Sequence, residues 1–203
     1  MTLTEEEFLV LDYLDIFKIA DESIIKEALL FESTRLSNVI RSLLDKGFIE
    51  PFFGGQWKIT SKGEKVISNR RKELLERSGQ KDIFIKYCEE FEVLNKEFKE
   101  LVSRWQMKDE GGILVPNDHK DPEYDFAIIE RLGIIHEKNK NLIERISSIF
   151  PFYRRFINRF ENAYKRLING EFDYMDRAQD SYHNIWFELH ESLLKFSGMS
   201  RVE

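Results

Sequence analysis

The stretch that decides the fold is residues 33–63, which read STRLSNVIRSLLDKGFIEPFFGGQWKITSKG. Its first part places apolar residues at steps of three and four, as an amphipathic helix does, and ends at Lys46 and Gly47, a basic last turn and a glycine suited to a left-handed cap. Two short runs rich in aromatic and β-branched residues follow, at 48–53 and 56–60, with a pair of glycines between them. This pattern predicts a helix followed by a β-hairpin.

Signals for two further helices precede this stretch. Thr4 and Glu7 have the spacing of a capping box, in which each side chain accepts a hydrogen bond from a free backbone amide of the first turn. Asp21 is a second N-cap candidate, and Ser33 or Thr34 is expected to cap the third helix. Two short helices joined tightly in this way indicate a helix-turn-helix.

A fourth helix is expected after the hairpin. Ser61 and Glu64 have the spacing of another capping box. Arg70, Arg71 and Lys72 are predicted to lie on the exposed side of this helix. The expected order is therefore helix, helix, helix, hairpin, helix.

Two segments of this region, LLDKGFIE at residues 43–50 and ITSKG at residues 59–63, resemble the winged helix-turn-helix transcription regulators of the MarR and PadR type. The resemblance covers about the first third of the chain. It implies that the third helix enters the major groove of DNA and that the hairpin, called the wing in these families, reaches an adjacent minor groove.

The sequence departs from these families in two ways. It has no dimerisation helix ahead of the first helix, and its wing lacks the basic residues that the families usually place near the tip. Pro51, Phe52, Phe53 and Trp57 stand there instead. An alternative interpretation is therefore that the wing packs against the second domain or against a partner protein.

The distribution of charge favours a polyanionic partner in spite of the net charge of −6. Residues 1–32 hold nine acidic residues and two lysines, whereas residues 33–72 hold nine basic residues and three acidic ones. What DNA experiences is the local field of the surface that faces it. The positive stretch coincides with the predicted recognition helix, wing and fourth helix.

The polar face of the third helix supplies the candidate DNA contacts. Arginine and asparagine side chains read base edges and phosphates, hydroxyls contact phosphates, and lysines anchor the backbone. The candidates are Ser33, Thr34, Arg35, Ser37, Asn38, Arg41, Lys58, Lys62 and Lys65. The alternative is that this is simply the solvated face of an amphipathic helix.

The rest of the chain reads as an all-α helical bundle. Ser78, Gly79 and Gln80 form a polar break, which divides the chain into a winged helix-turn-helix domain at 1–78 and a helical domain at 79–203. Apolar residues then recur at helical spacing in four segments, and residues 108–122 show turn chemistry between the first two. The last segment has a heptad-like seam with Leu189 and Leu193. The dimer interface is left open between this last helix and the long helix that follows the polar break.

No catalytic or metal-binding motif is recognised. Ser181 and His183 are two residues apart on a predicted helix and so point to different faces. His183 and His190 are seven apart, about 10 Å along a helix, which is too far to share one metal ion. The chain is therefore expected to be neither an enzyme nor a cofactor-binding protein.

Polar aromatic side chains of the second domain are the candidates for a small-molecule pocket, because bundle pockets combine aromatic walls with a few polar groups. They are Trp105, Tyr124, His136, Tyr182, His183, Trp186 and His190. The alternative is that these groups only satisfy one another inside the bundle.

One cysteine, Cys88, and the absence of a long apolar run or a basic leader predict a cytoplasmic protein with no membrane anchor. The sequence as a whole predicts a DNA-binding transcription regulator that acts on double-stranded DNA, as a homodimer, with a possible small-molecule effector. The alternative is a winged-helix protein-interaction module that does not bind DNA.

Overall fold

The computed structural model describes residues 3–200. Within them the protein is mainly helical, with 74% helix and 8% strand. The helices are α1 (Glu5–Phe17), α2 (Glu22–Leu29), α3 (Ser33–Asp45), α4 (Ser61–Ser78), α5 (Lys81–Gln106), α6 (Pro122–Ile149), α7 (Arg155–Ile168) and α8 (Tyr182–Ser197). The strands are β1 (Ile19–Ala20), β2 (Ile49–Pro51), β3 (Trp57–Ile59), β4 (Met107–Glu110) and β5 (Ile113–Pro116).

The chain divides into two compact units. The described residues up to Lys81 and those from Phe187 onwards form the first unit, and Asp82–Trp186 forms the second. The division expected at residue 78 falls near the first boundary. The segment from Phe187 onwards, which the sequence assigned to the second domain, belongs to the first unit.

The helices of the first unit begin at capping residues, not all of them the expected ones. Thr4 and Glu7 form the predicted capping box of α1, with the Glu7 amide 3.2 Å from Thr4 Oγ1. Asp21 caps α2 as predicted. The N-cap of α3 is Glu32, which makes no side-chain cap bond, so the prediction of Ser33 or Thr34 was wrong.

The cap of α4 is also displaced by one residue from its prediction. Thr60, and not Ser61, is the N-cap, and its Oγ1 accepts a hydrogen bond from the Gly63 amide at 3.1 Å. The same hydroxyl donates to the Gly47 carbonyl at 2.9 Å. Thr60 therefore ties the start of α4 to the chain that leaves α3.

A three-stranded antiparallel sheet in the order β1-β3-β2 completes the first unit. The predicted hairpin is present, with Pro51 opposite Trp57, but its tip is a 3-10 turn, Phe53–Gly55, where a two-residue turn was expected. Gly54 and Gly55 have φ values of 71° and 82°, in the left-handed region that glycine adopts without strain.

Gly63 allows α4 to pack closely on the hairpin. A Cβ at this position would lie 2.2 Å from the Phe48 carbonyl oxygen, a contact that no larger residue could make without displacing backbone. The core includes apolar side chains with at most 1% of their surface exposed, among them Val10, Leu11, Leu14, Ile25, Leu36, Leu43 and Ile67.

The second unit contains α5, α6, α7 and the first residues of α8. Its core is aromatic: the rings of Phe98 and Trp186 stack with centroids 4.2 Å apart, and the Trp186 indole N–H donates to Asn95 Oδ1 at 3.0 Å. Residues 108–122, expected to be a structureless turn region, instead contain the hairpin β4–β5, with Met107 opposite Pro116.

The candidate dimer seam of the last helix is buried within the protomer. Leu189 and Leu193 have 0% and 1% of their surface exposed. The apolar spacing of this helix thus reflects packing inside one chain.

Candidate nucleic-acid interface

One face of helix α3 is buried and the opposite face is exposed to solvent. Leu36, Val39, Ile40 and Leu43 are buried on its inner face. The six candidate DNA-contacting residues of this helix are all exposed, namely Ser33, Thr34, Arg35, Ser37, Asn38 and Arg41. The amphipathic pattern therefore assigned the two faces of α3 correctly.

Two of these six side chains already have acidic partners. Arg35 Nε lies 2.5 Å from Glu6 Oε1, and its guanidinium carbon lies 4.7 Å from the centre of the Phe31 ring. Ser37 Oγ donates to Glu22 Oε2 at 3.5 Å. Any phosphate that Arg35 contacts must compete with Glu6.

The remaining polar stripe on α3 is free. Within residues 3–200, the side chains of Thr34, Asn38 and Arg41 make no hydrogen bond or ion pair. Their spacing of four and then three residues places them along one line of the helix surface. The stripe combines a hydroxyl, an amide and a guanidinium, which together can donate and accept hydrogen bonds.

The three candidate lysines differ in the ion pairs and hydrogen bonds that they make. Lys58 Nζ lies 3.4 Å from Glu50 Oε1 across the hairpin, a long and exposed ion pair. Lys62 Nζ donates to the Lys46 carbonyl at 2.7 Å, so it binds a free carbonyl at the end of α3. Lys65 is exposed and makes no ion pair with any described residue.

Glu7 fixes α3 to α1. Its carboxylate accepts a hydrogen bond from Ser42 Oγ at 2.6 Å and forms an ion pair with Lys46. Burial opposes ionisation of this carboxyl, but the bonds from Lys46 and Ser42 outweigh that effect and lower its pKa. The sequence marked Glu7 only as a capping residue, because its partners lie on a different helix.

Arg71 is a buried structural residue, so its predicted position on the exposed side of α4 was wrong. Only 3% of its surface is exposed. Its Nε lies 2.7 Å from Asp12 Oδ1 and its Nη1 lies 2.7 Å from Asp15 Oδ2. Burial raises the pKa of Asp15, but the Arg71 charge dominates and holds that pKa at about 2.

The tip of the hairpin is apolar and exposed. Phe53 has 88% of its surface exposed and Phe52 has 43%. Trp57, by contrast, is fixed by a hydrogen bond, because its indole N–H donates to Glu22 Oε1 at 3.2 Å. The aromatic residues of the hairpin thus divide into one that joins it to α2 and two that face solvent.

The seven candidate ligand-binding residues do not form one group. His190 lies in the first unit, and the other six lie in the second. Trp105 and Tyr124 lie near the β4–β5 hairpin, where the Tyr124 hydroxyl donates to the Arg104 carbonyl at 2.9 Å.

The other four candidates contact the aromatic core of the second unit. His136 Nδ1 is 3.3 Å from the Tyr182 hydroxyl, and burial lowers the pKa of His136 and raises that of Tyr182. The Phe98 ring lies within 6.0 Å of the rings of Tyr182, His183 and Trp186. Burial also lowers the pKa of His183. Hydrogen bonds inside the bundle are thus made by His136, Tyr182 and Trp186, whereas His183 contacts the Phe98 ring.

A second polar cluster of this unit was not expected. Asp125, with 0% of its surface exposed, accepts a hydrogen bond from Asn117 Nδ2 at 2.8 Å, and one of its oxygens lies 3.1 Å from His119 Nδ1. The His119 ring packs on Trp105 with centroids 4.5 Å apart. Asn117 was interpreted only as part of a turn, because its partner follows on the next helix.

The part of the chain that the structure describes contains no group of three or more histidine, cysteine, aspartate or glutamate side chains placed to hold a metal ion. None of the described helices has the length and apolarity needed to cross a membrane. Comparison with protein-family models, with curated proteins and with solved structures found no match to this chain.

Proposed function

We propose that the first unit is a winged helix-turn-helix and that the protein is a sequence-specific regulator of transcription, which binds double-stranded DNA through α3. The observation that carries this proposal is the free stripe of Thr34, Asn38 and Arg41 on the exposed face of a rigidly held helix. A helix of 13 residues is about 20 Å long, which suits the major groove.

The order of elements supports the proposal. Three helices, a β-hairpin and a fourth helix follow one another in the first unit, and β1 pairs with the second strand of the hairpin. In this arrangement α2 and α3 correspond to the two helices of a helix-turn-helix, and the hairpin corresponds to the wing.

The chemistry of the stripe supports readout of base edges. Asparagine can make two hydrogen bonds to adenine, arginine can make two to guanine, and the threonine methyl group can contact the thymine methyl group. Arg41 is the guanidinium of α3 that is not engaged by an acidic residue among residues 3–200. Asn38 and Arg41 are therefore assigned to base contacts and Lys65 to a phosphate contact.

In this proposal the protein acts as a homodimer on an inverted repeat, because two identical recognition helices read two half-sites. Leu189 and Leu193 are buried within the protomer, so the dimer contact uses another surface. The second unit would supply that contact or bind a small effector molecule.

Selection of bound sequences from a random duplex pool, at two salt concentrations, tests the proposal. The wild-type chain should enrich an inverted repeat, and an Asn38→Ala, Arg41→Ala double variant should not. Arg131→Ala is the matched control, since Arg131 is an exposed arginine of the second unit. No enrichment by the wild-type chain would exclude sequence-specific binding.

A protein-interaction module is the second candidate, favoured by the exposed ring of Phe53 and by the acidic partners of Arg35 and Lys58. In that case the hairpin would dock on a partner protein through apolar contact. Binding that hardly changes with salt would support this candidate, whereas DNA binding must weaken as salt rises.

A further inference from the structure

The tip of the β2–β3 hairpin carries one protruding aromatic ring, followed by two glycines. Phe53 is the most exposed large apolar side chain of the described residues, at 88%. Gly54 and Gly55 follow it, and nothing lies within 4 Å of where a Cβ on either would stand. The Phe52 amide donates to the Gln56 carbonyl at 2.7 Å and closes the turn below the ring.

The size of this feature argues against a protein partner. A stable protein interface buries about 800 Å² on each side, far more than one ring and part of a second supply. One protruding ring instead has the size of the apolar wedges that proteins insert between neighbouring base pairs from the minor groove. The two glycines, which lack side chains, would let the backbone approach the walls of a groove only about 6 Å wide.

One cation lies beside the tip. The Lys58 ammonium lies 5.9 Å from the centre of the Phe52 ring, whereas the Lys62 ammonium lies at the base of the hairpin, 5.2 Å from the centre of the Phe48 ring. The Lys58–Glu50 pair is long, at 3.4 Å, and both side chains are about half exposed, so a phosphate could replace the carboxylate. The residues from Pro51 to Gln56 carry no charge of their own.

The reach of the hairpin is also suitable. Its first strand begins four residues after the end of α3, and a strand of three residues extends about 10 Å. This length is enough for the hairpin to cross one phosphate backbone beside α3, as the resemblance to winged helix-turn-helix proteins implies.

We infer that Phe53 is a wedge, which enters a base step of the minor groove next to the major groove occupied by α3 and kinks the duplex. The inference rests on the proposed function, because it requires α3 to bind DNA. It adds a distinct property, since a ring that unstacks a base step bends the duplex by tens of degrees.

The test measures bending and affinity separately. A 30-bp duplex carrying the selected repeat, with a donor and an acceptor dye at its two ends, reports the end-to-end distance by energy transfer, and titration of the same duplex gives Kd. Wild-type protein should bring the ends closer. Phe53→Ser should bind about tenfold more weakly and leave the duplex straight, while Phe53→Leu should keep part of the bend, because leucine can also act as a wedge.

Two controls keep the outcomes separate. Circular dichroism should show both variants folded, since the Phe53 ring contributes little to the core. Arg41→Ala should lower the affinity for the selected duplex, because it removes the proposed contact between Arg41 and a base edge. A Phe53→Ser protein that bends the duplex as the wild type does would overturn the wedge and leave the proposed function standing. Failure of the wild type to bind either the selected duplexes or a mixed-sequence duplex at low salt would overturn both.

Discussion

Lys195 Nζ lies 3.1 Å from Asp15 Oδ2 and so joins the last helix of the chain to the first. Asp15 is shared, because Arg71 Nη1 contacts the same carboxylate oxygen at 2.7 Å and Lys18 contacts the other at 3.0 Å. Close by, the rings of Phe8 and Phe196 meet edge to face with centroids 6.0 Å apart. One carboxylate of α1 therefore has three cationic partners, two of which come from α4 and α8.

Asp15→Asn should destabilise the first unit strongly. The substitution leaves the buried Arg71 guanidinium with only one carboxylate partner, and breaking a buried ion pair costs about 3–5 kcal/mol. Lys195→Gln should cost less than about 1 kcal/mol, because Lys195 remains partly exposed to water. Urea unfolding followed by circular dichroism measures both, and equal losses in the two variants would contradict the central role of Arg71.

Stability should fall in acid in a way that depends on Asp15. Its folded-state pKa of about 2 lies below its ordinary value of 3.8, so the carboxylate stabilises the fold above the ordinary value, and that contribution is lost as pH falls toward the folded value. The difference in unfolding free energy between wild type and Asp15→Asn should therefore shrink between pH 5 and about pH 2. A difference that stays constant over this range would count against the low pKa.

The cap of α4 can be located by two neighbouring substitutions. Thr60→Ala should lower stability by about 1 kcal/mol, because it removes the acceptor for the Gly63 amide and the donor to the Gly47 carbonyl. Ser61→Ala should change stability by less than about 0.5 kcal/mol, since Ser61 is an exposed first residue of the helix. Thermal unfolding measures both variants. A larger loss of stability in Ser61→Ala than in Thr60→Ala would support the capping box expected at Ser61.

Salt dependence should report how many cations contact phosphate. If Arg35 and Lys65 of both protomers do so, the logarithm of the DNA-binding constant should fall against the logarithm of salt with a slope of about −4. Lys65→Ala should make this slope less steep by about 2, one unit or so for each protomer. Lys120→Ala, which removes an exposed lysine of the second unit, should leave it unchanged.

Local signals predicted the helices well. The capping box at Thr4 and Glu7, the cap at Asp21 and the glycine at position 47 act within one turn of their own helix, so the sequence contains the whole interaction. The exposed face of α3 followed from the spacing of its buried residues, which depends only on the helical period.

Interactions between distant residues could not be predicted in this way. Arg71 looked like a surface residue of a basic helix, because Asp12 and Asp15 lie 59 and 56 residues earlier. Likewise, Arg35 was predicted to contact DNA, but it is paired with Glu6, which lies 29 residues earlier in the chain. Strand β1 is two residues long, too short to show an alternating pattern.

Most of α8 belongs to the first unit, and this affects the order in which the two units can fold during synthesis. Phe8 and Phe196 lie on either side of the second unit in the sequence, so a ribosome has translated all of Asp82–Trp186 before α1 can meet α8. The entropy of closing such a long loop grows only slowly with length, by about 0.6 kcal/mol for each doubling, but contacts this distant in sequence form slowly. The first unit is thus completed only after the second has been translated.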